Sequence, residues 1–172
     1  MLNVGFGLGI IDEFFQEYHP GRHVIIEPHP DAIAFMKQNG WYERPGVEVF
    51  EGTWEHFMLD QEHAALLGSF DAIYFDTYSQ DYEDLRTFFD SLPNFLNGPD
   101  ARFSFFHGLA ATNQFLYDVY TRVSELDLRE IGLDTHWSVI YPRVDPDTWK
   151  GVKRSYWSLD SYYLPVSHMQ LF

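Results

Sequence analysis

Two stretches near the start of the chain decide the fold. Residues 2–9 read LNVGFGLG, a short apolar run that ends in three glycines, and residues 23–27 read HVIIE, a β-branched run that ends in an acid. Between them, residues 10–18 predict a helix that ends at His19-Pro20-Gly21. A strand, a glycine-rich turn, a helix and a second strand are typical of the first unit of a parallel α/β sheet.

The alternation continues towards the C-terminus. Predicted helices cover residues 30–39, 55–67, 81–96 and 113–129, and predicted strands cover residues 47–51, 70–75 and 102–106. Apolar spacing places Tyr82, Leu85, Phe89, Leu92 and Leu96 inward on one helix, and Leu116, Val119, Tyr120, Val123 and Leu126 inward on the next. Residues 136–141 and 155–164 predict two strands with no helix between them, which favours an antiparallel pair at the sheet edge.

These elements predict one α/β domain with a doubly wound, Rossmann-like parallel sheet and an antiparallel C-terminal strand pair. The 172 residues suit a single domain and include no cysteine, which excludes disulfides, thiolate metal sites and a cysteine nucleophile. Eleven Lys and Arg against 26 Asp and Glu give a net charge of −15. We therefore expect neither a nucleic acid partner nor a membrane partner.

The glycine-rich turn and Glu27 predict a nucleoside site. Ligands of doubly wound sheets bind at the carboxyl ends of the strands, where an acid can accept both hydroxyls of a ribose. The spacing G-x-G-x-G from Gly5 to Gly9 departs from the dinucleotide fingerprint, and no basic residue lies near to meet a pyrophosphate. S-adenosylmethionine, a sulfonium without a pyrophosphate, fits better. A simple turn with a surface glutamate is the alternative.

Other candidates follow later strands. Asp76 comes directly after an apolar strand, where it pairs with a guanidinium or ammonium substrate or else caps a turn. Trp54 lies on an adenine or in the core, and His107 contacts substrate or bonds within its loop. The other histidines lack the spacing of a metal site, so we predict no metal. No nucleophile elbow is present, which disfavours a hydrolase.

Together these blocks resemble a known family. The stretches NVGFGLGIID, HVIIEPHPD, EGTWE, FDAIYFDTYSQDYEDLRTFFD, RFSFFHGLAATN and RSYWSLDSYYLPV are similar to the catalytic domain of fungal protein arginine N-delta (type IV) methyltransferases, relatives of guanidinoacetate N-methyltransferase. The resemblance implies a class I methyltransferase fold and S-adenosylmethionine held by Gly5, Phe6, Gly7, Leu8, Gly9, Ile10, Glu27, Pro28, His29, Thr53, Trp54 and Asp76. It also implies that Asp76 is catalytic and that Asp76, His107 and Gly108 contact the substrate. Family members usually carry Asn where this chain has His107.

The resemblance carries further expectations. It implies methyl transfer to a guanidino nitrogen, most simply the delta nitrogen of arginine in a protein, by a cytoplasmic enzyme with the nucleus as a second location. Family members have lid helices before the first strand, so residues 1–172 are expected to form a catalytic domain without that lid. Two alternatives stay open: a small-molecule guanidino methyltransferase, and an inactive fragment that acts as a binding module. A nicotinamide-binding domain is a weaker third.

Overall fold

The computed structural model describes residues 1–59, 65–77, 81–143, 145–153 and 156–170. The strands are β1 Leu2–Val4, β2 His23–Glu27, β3 Val47–Glu51, β4 Ala72–Phe75, β5 Arg102–Phe105, β6 Leu133–Ile140 and β7 Tyr162–Met169. The helices are α1 Ile10–Glu17, α2 Pro30–Gln38, α3 Trp54–Leu59, α4 Tyr82–Phe95 and α5 Gln114–Glu130. Residues 60–64 of the predicted third helix, and residue 155 of the last predicted strand, lie outside the described residues.

The strands form one seven-stranded sheet in the order β3-β2-β1-β4-β5-β7-β6. Strands β1 to β5 are parallel, with Leu2 opposite both Val24 and Ile73. Strand β7 runs antiparallel to both β5 and β6. The order reverses direction at β1, which is the switch point where doubly wound sheets bind ligands. The predicted fold class is therefore confirmed.

Two buried clusters cover the sheet, one on each face. Because side chains alternate along a strand, Val24 and Ile26 point to one face while Ile25 points to the other. Val24 and Ile26 join the larger cluster, which includes Phe57 of α3 and Phe88 of α4. Ile25 joins Phe6, Met36 and Trp41 in the smaller cluster. Strand β2 is buried along its whole length, which explains its near-continuous apolar sequence.

The last predicted strand was placed wrongly. Residues 156–161 form no strand, and β7 starts at Tyr162 and continues through Pro165 to Met169. A proline lacks the N–H that a ladder needs, so the sequence favoured an end at Leu164. In the structure the Pro165 carbonyl accepts a hydrogen bond of 2.6 Å from the Ser104 hydroxyl. Strand β6 likewise begins at Leu133, three residues before its predicted start at 136.

The inward face of α5 was also predicted wrongly. Leu116, Val119 and Leu126 are exposed, whereas Tyr117, Ser124 and Leu128 are buried. The buried face is partly polar: Ser124 is buried there, and the Tyr163 N–H donates to the Tyr117 hydroxyl at 2.9 Å. The prediction for α4 was closer, since Leu85, Phe89 and Leu92 are buried as expected and Leu96 follows the helix as its buried C-cap.

The register of the strands brings the candidate residues into one row. Val4 pairs with both Ile26 and Phe75, and Phe75 pairs with Phe105. The residues one step further, at the carboxyl edge, are Glu27, Gly5, Asp76 and Phe106. In the part of the chain that the structure describes, no helix has the length and apolar character to cross a membrane.

Candidate active site

The glycine-rich turn brings β1 against the end of β4. Gly5 has a φ of +94° and its N–H donates to the Ile26 carbonyl at 2.9 Å. A Cβ added at Gly5 would lie 1.9 Å from the Asp76 carbonyl oxygen. Only glycine fits this conformation and this close approach. Gly9, with a φ of +72°, occupies the N-cap of α1, so the turn leads directly into the helix.

The Glu27 carboxylate holds this turn in place. Its Oε2 accepts hydrogen bonds from the Phe6 N–H at 2.8 Å and the Gly7 N–H at 3.1 Å. Its Oε1 accepts from the His29 N–H at 2.7 Å. A carboxylate has about four acceptor positions, so these three N–H groups leave room for one further donor. Glu27 can therefore brace the turn and still accept a ligand hydroxyl.

A buried polar network supports the turn from below. The Asn3 side-chain amide donates to Asp12 Oδ1 at 2.8 Å and to the Gly5 carbonyl at 3.1 Å. His23 Nε2 lies 3.1 Å from the same Asp12 oxygen, and His23 Nδ1 lies 2.8 Å from the Gln16 amide. Burial raises the pKa of the Asp12 carboxyl, while hydrogen bonds from His23 and Asn3 act in the opposite direction.

A cavity of about 650 Å³ opens above the turn. Its lining residues come from the carboxyl ends of β1, β2 and β4 and from the starts of α2 and α3: Val4, Gly5, Gly7, Leu8, Ile26, Glu27, Pro28, His29, Asp31, Ala32, Phe35, Thr53, Trp54, Glu55, Asp76 and Thr77. This lining contains four acids and neither Lys nor Arg. The cavity therefore suits a ligand with positive charge and lacks the cations that a pyrophosphate would require.

Asp76 lines the cavity at the carboxyl end of β4. Its N–H donates to the Val4 carbonyl at 2.8 Å, which fixes its backbone against β1. Burial raises the pKa of its carboxyl, and the charge of Asp12 raises it further. None of the described residues forms an ion pair with this carboxylate. An unpaired, half-buried carboxylate can receive a cation, and its raised pKa makes it a better proton acceptor.

Trp54 belongs mainly to the core. It is 6% exposed, and its ring packs edge-to-face on Phe88 with 5.4 Å between centroids. Its Nε1–H is buried and has no partner among the described residues. The core interpretation of Trp54 is favoured over stacking on an adenine, although Trp54 is among the residues that line the cavity.

His107 is fully buried behind the site. Its Nε2 lies 2.8 Å from the Thr121 hydroxyl, which itself donates to the Tyr117 carbonyl, so Nε2 carries the proton and Nδ1 is the free acceptor. The ring stacks on Tyr117 with 4.3 Å between centroids. Burial lowers the pKa of His107 to about 4. The side chain is neutral and bonded within the fold.

The structure brings most of the predicted site residues together. The cavity is lined by Gly5, Gly7, Leu8, Glu27, Pro28, His29, Thr53, Trp54 and Asp76, and it is not lined by Phe6, Gly9, Ile10, His107 or Gly108. Phe6 packs on Trp41, and Ile10 faces solvent. Within the described ranges, no group of three or more metal-ligating side chains occurs.

Sequence reasoning missed the contribution of α2. Asp31 and Phe35 line the cavity, and both lie on the first turns of the helix that follows Glu27. Their spacing of four residues places them on one face, so the helix pattern contained the signal. The buried Asn3–Asp12 pair was missed as well, because nothing in the amphipathic spacing of α1 marks an acid in its first turn as buried.

The chain is similar to fungal proteins along almost its whole length. It is 44% identical over 167 residues to protein arginine N-methyltransferase 2 of Aspergillus oryzae, covering 96% of this chain and 40% of that protein. It is 42% identical over 182 residues to the protein of the same name from Cryptococcus neoformans, covering 99% of this chain and 50% of that one. The chain thus spans about half or less of the length of these relatives. No family model matches it.

Solved structures share the fold at low sequence identity. An S-adenosylmethionine dependent methyltransferase from Mesorhizobium loti superposes with a TM-score of 0.63 at 14% identity, covering 98% of this chain and 89% of that one. N-methyltransferase NodS from Bradyrhizobium japonicum, solved in complex with S-adenosyl-L-homocysteine, gives 0.64 at 16% identity, covering 98% and 76%. The chain therefore has the class I methyltransferase fold, and its sequence is similar to fungal proteins named protein arginine N-methyltransferase 2.

Proposed function

We propose that this chain transfers a methyl group from S-adenosylmethionine to a guanidino nitrogen of arginine in a protein, at the delta position. The observation that carries the proposal is the position of Asp76. This carboxylate, which forms no ion pair with any described residue, lies beside the glycine turn, on the border between the acidic cavity and the carboxyl end of β5. A carboxylate at that place can hold a cationic methyl acceptor against a methyl donor in the cavity.

The cavity residues fit S-adenosylmethionine. A Cβ at Gly7, which lines the cavity, would meet nothing within 4 Å, so a ligand can approach the backbone there, and Glu27 keeps one acceptor position for a ribose hydroxyl. Asp31 and Glu55 add negative charge around the cavity, which favours a sulfonium and an ammonium. The hydrophobic side chains of Leu8 and Phe35 offer apolar surface for an adenine.

The bound cofactor would supply an electrophilic methyl group on sulfur. Arginine keeps its proton at ordinary pH, and its nitrogen lone pairs are delocalised. Asp76 fixes the planar guanidinium by charge-assisted hydrogen bonds and accepts a proton as the carbon–nitrogen bond forms and the carbon–sulfur bond breaks. Because the Gly5 turn contacts the Asp76 backbone, both reactants are positioned from one rigid sheet edge.

The relatives named protein arginine N-methyltransferase 2 support arginine as the acceptor. A small-molecule substrate such as guanidinoacetate also bears a guanidino group, but its carboxylate would need a cation. Neither Lys nor Arg lines the described cavity. Burial and Asp12, but no Lys or Arg, act on the Asp76 carboxyl itself, so a peptide-borne arginine is favoured there over a free acid. A cytoplasmic or nuclear location goes with the proposal.

The experiment is a methyl-transfer assay that resolves the acceptor nitrogen. The chain is incubated with S-adenosylmethionine carrying a deuterated methyl group and an arginine-containing peptide, and the product is fragmented in a mass spectrometer. We expect delta-methylarginine from the parent and at least a hundredfold less from Asp76→Asn, in line with the loss of a general base, about 10²–10⁴-fold. Asp90→Asn, an exposed change on α4, is the matched control.

Three other results would contradict the proposal. Transfer to guanidinoacetate but not to the peptide would favour the small-molecule enzyme. Calorimetric binding of S-adenosylhomocysteine without any transfer would favour a binding module. Transfer to a terminal guanidino nitrogen would exclude the delta position while leaving arginine as the acceptor.

A further inference from the structure

Three aromatic residues meet at the carboxyl edge of the sheet, next to Asp76. Strand β7 runs antiparallel to β5, so Tyr162 at its start lies at the edge where β4 and β5 end. Phe106 directly follows β5, and Trp157 precedes β7 in the chain. We call Phe106, Trp157 and Tyr162 the aromatic platform.

The rings of the aromatic platform contact one another. Phe106 and Tyr162 are nearly parallel, with 5.8 Å between centroids and 19° between planes. Trp157 lies 5.6 Å from Tyr162 and 6.4 Å from Phe106. Phe106 is 41% exposed, and the other two rings are half-buried. The platform thus presents ring surface to a ligand while its base is packed.

The platform and Asp76 lie on the same face of the sheet edge. Phe75 and Phe105 are paired across β4 and β5, and the Phe106 N–H donates to the Phe75 carbonyl at 2.9 Å. Asp76 and Phe106, one step further, are therefore neighbours whose side chains point to the same face. Burial raises the pKa of the Tyr162 hydroxyl to about 12, and the Asp76 carboxylate contributes to that rise.

Hydrogen bonds and a glycine hold the platform in position. The Tyr162 hydroxyl accepts from the His107 N–H at 3.3 Å and donates to the Phe105 carbonyl at 3.4 Å. The Trp157 indole N–H donates to the Leu159 carbonyl at 2.8 Å. A Cβ added at Gly108 would lie 2.5 Å from Cε1 of Phe106, so Gly108 leaves the space that this ring occupies. These contacts position Tyr162 and Trp157, and Phe106 stacks on Tyr162.

A guanidinium group matches this arrangement better than an ammonium does. Its N–H groups lie in one plane and suit a carboxylate at the edge, whereas its weakly hydrated faces stack on aromatic rings. An ammonium has no flat face and is strongly hydrated. We propose that the aromatic platform receives the face of the substrate guanidinium while Asp76 holds its edge, and that the platform selects arginine over lysine. This inference rests on the proposed function and adds its specificity-determining residues.

The test measures peptide binding, so it does not depend on turnover. Two peptides, Gly-Gly-Arg-Gly-Gly and Gly-Gly-Lys-Gly-Gly, are titrated into the full chain by NMR with saturating S-adenosylhomocysteine. We expect the parent to bind the arginine peptide about tenfold more tightly, since cation–π and stacking contacts of this kind change affinity by about three- to thirtyfold. Equal affinities for the two peptides would overturn the inference.

Variants of the platform residues test whether the aromatic rings cause the selectivity for arginine over lysine. Phe106→Leu and Tyr162→Leu should each weaken arginine binding about three- to tenfold and leave lysine binding within about twofold. Tyr162→Phe keeps the ring and should keep the selectivity. Phe115→Leu, the same change at a residue that is 73% exposed at the start of α5, is the matched control. Unchanged selectivity in both leucine variants would refute the role of the platform.

Gly108→Ala provides a test that removes no ring. The added methyl must displace the end of the Phe106 ring, so we expect a folded protein with reduced selectivity for arginine.

A separate methyl-transfer assay distinguishes failure of the aromatic platform from failure of the proposed function. Transfer to arginine with no effect of the platform variants would refute the platform alone. Selective binding through the platform without any transfer would refute the proposed function alone.

Discussion

The structure predicts that the substitution Glu27→Gln destabilises the fold and weakens ligand binding. Glutamine has the same shape, but it can accept at only one of its two terminal atoms. If its oxygen takes the place of Oε2 and accepts from Phe6 and Gly7, its NH₂ faces the His29 N–H, which lies 2.7 Å away. That contact replaces a charge-assisted hydrogen bond, worth about 1.5–3 kcal/mol, with two opposed donors. The remaining two bonds change from charged to neutral, at about 0.5–1 kcal/mol each.

The sum is a loss of about 2.5–5 kcal/mol in the free energy of unfolding, a large part of the 5–15 kcal/mol typical of a domain. Urea unfolding measures this loss, and calorimetry with S-adenosylhomocysteine measures the accompanying loss of affinity. Glu48→Gln is the matched control, because its ion pair with Arg22 is exposed and should contribute less than about 1 kcal/mol. The free energy of unfolding of Glu27→Gln could instead lie within about 0.5 kcal/mol of the parent value, which is about a twofold change in the equilibrium constant. That result, together with unchanged affinity for S-adenosylhomocysteine, would refute the conclusion that Glu27 stabilises the glycine-rich turn.

Three further changes test the site and its support. Asp76→Asn should leave S-adenosylhomocysteine affinity within about threefold while turnover falls by about a hundredfold or more, which calorimetry and the methyl-transfer assay separate; equal losses in both would show a structural role. Burial lowers the pKa of His107 to about 4 from an ordinary 6.5, so this side chain binds a proton more readily in the unfolded chain than in the folded one. The folded state therefore has about 3 kcal/mol of stability above pH 6.5 that is lost as the pH falls to about 4. Urea unfolding at several pH values should find this loss smaller in His107→Phe, and identical pH profiles would contradict it. Gly5→Ala places a methyl 1.9 Å from the Asp76 carbonyl oxygen and should abolish the thermal transition or lower its midpoint sharply, whereas Gly7→Ala, with open space around it, should cost about 1–2 kcal/mol.

Most of the sheet was predictable because its strands and helices carry the pattern locally. The HVIIE run and the glycine turn predicted β1, α1 and β2 within a residue of their observed bounds. The start of β7 was not predictable, since it depends on pairing with β6, in which Tyr162 faces Ile140 and Pro165 faces Trp137. A proline in a paired strand conflicts with local propensity, and only the neighbouring strands explain it.

The candidate site was predictable in outline for a similar reason. Glu27 and Asp76 were found because Glu27 ends one apolar strand and Asp76 directly follows another, and the topology brings such positions together. The partners of Glu27 were not predictable, because the three N–H groups belong to a turn and a helix start whose exact conformation the sequence does not specify. The inward face of α5 was missed because its buried residues include polar side chains, which spacing of apolar residues cannot identify.

Three acids lie around the glycine turn, and they differ in whether the protein supplies hydrogen-bond donors to them. Asp12 and Glu27 are buried but have donors, from Asn3 and from the turn itself, so they stabilise the native backbone. Asp76 has a raised pKa and no cation among the described residues, so its charge is costly until a ligand arrives. A bound guanidinium lowers that pKa and removes the cost, which couples substrate affinity to the ionisation of Asp76. In the proposed reaction, the same unfavourable charge that weakens the free protein orients and deprotonates the guanidinium.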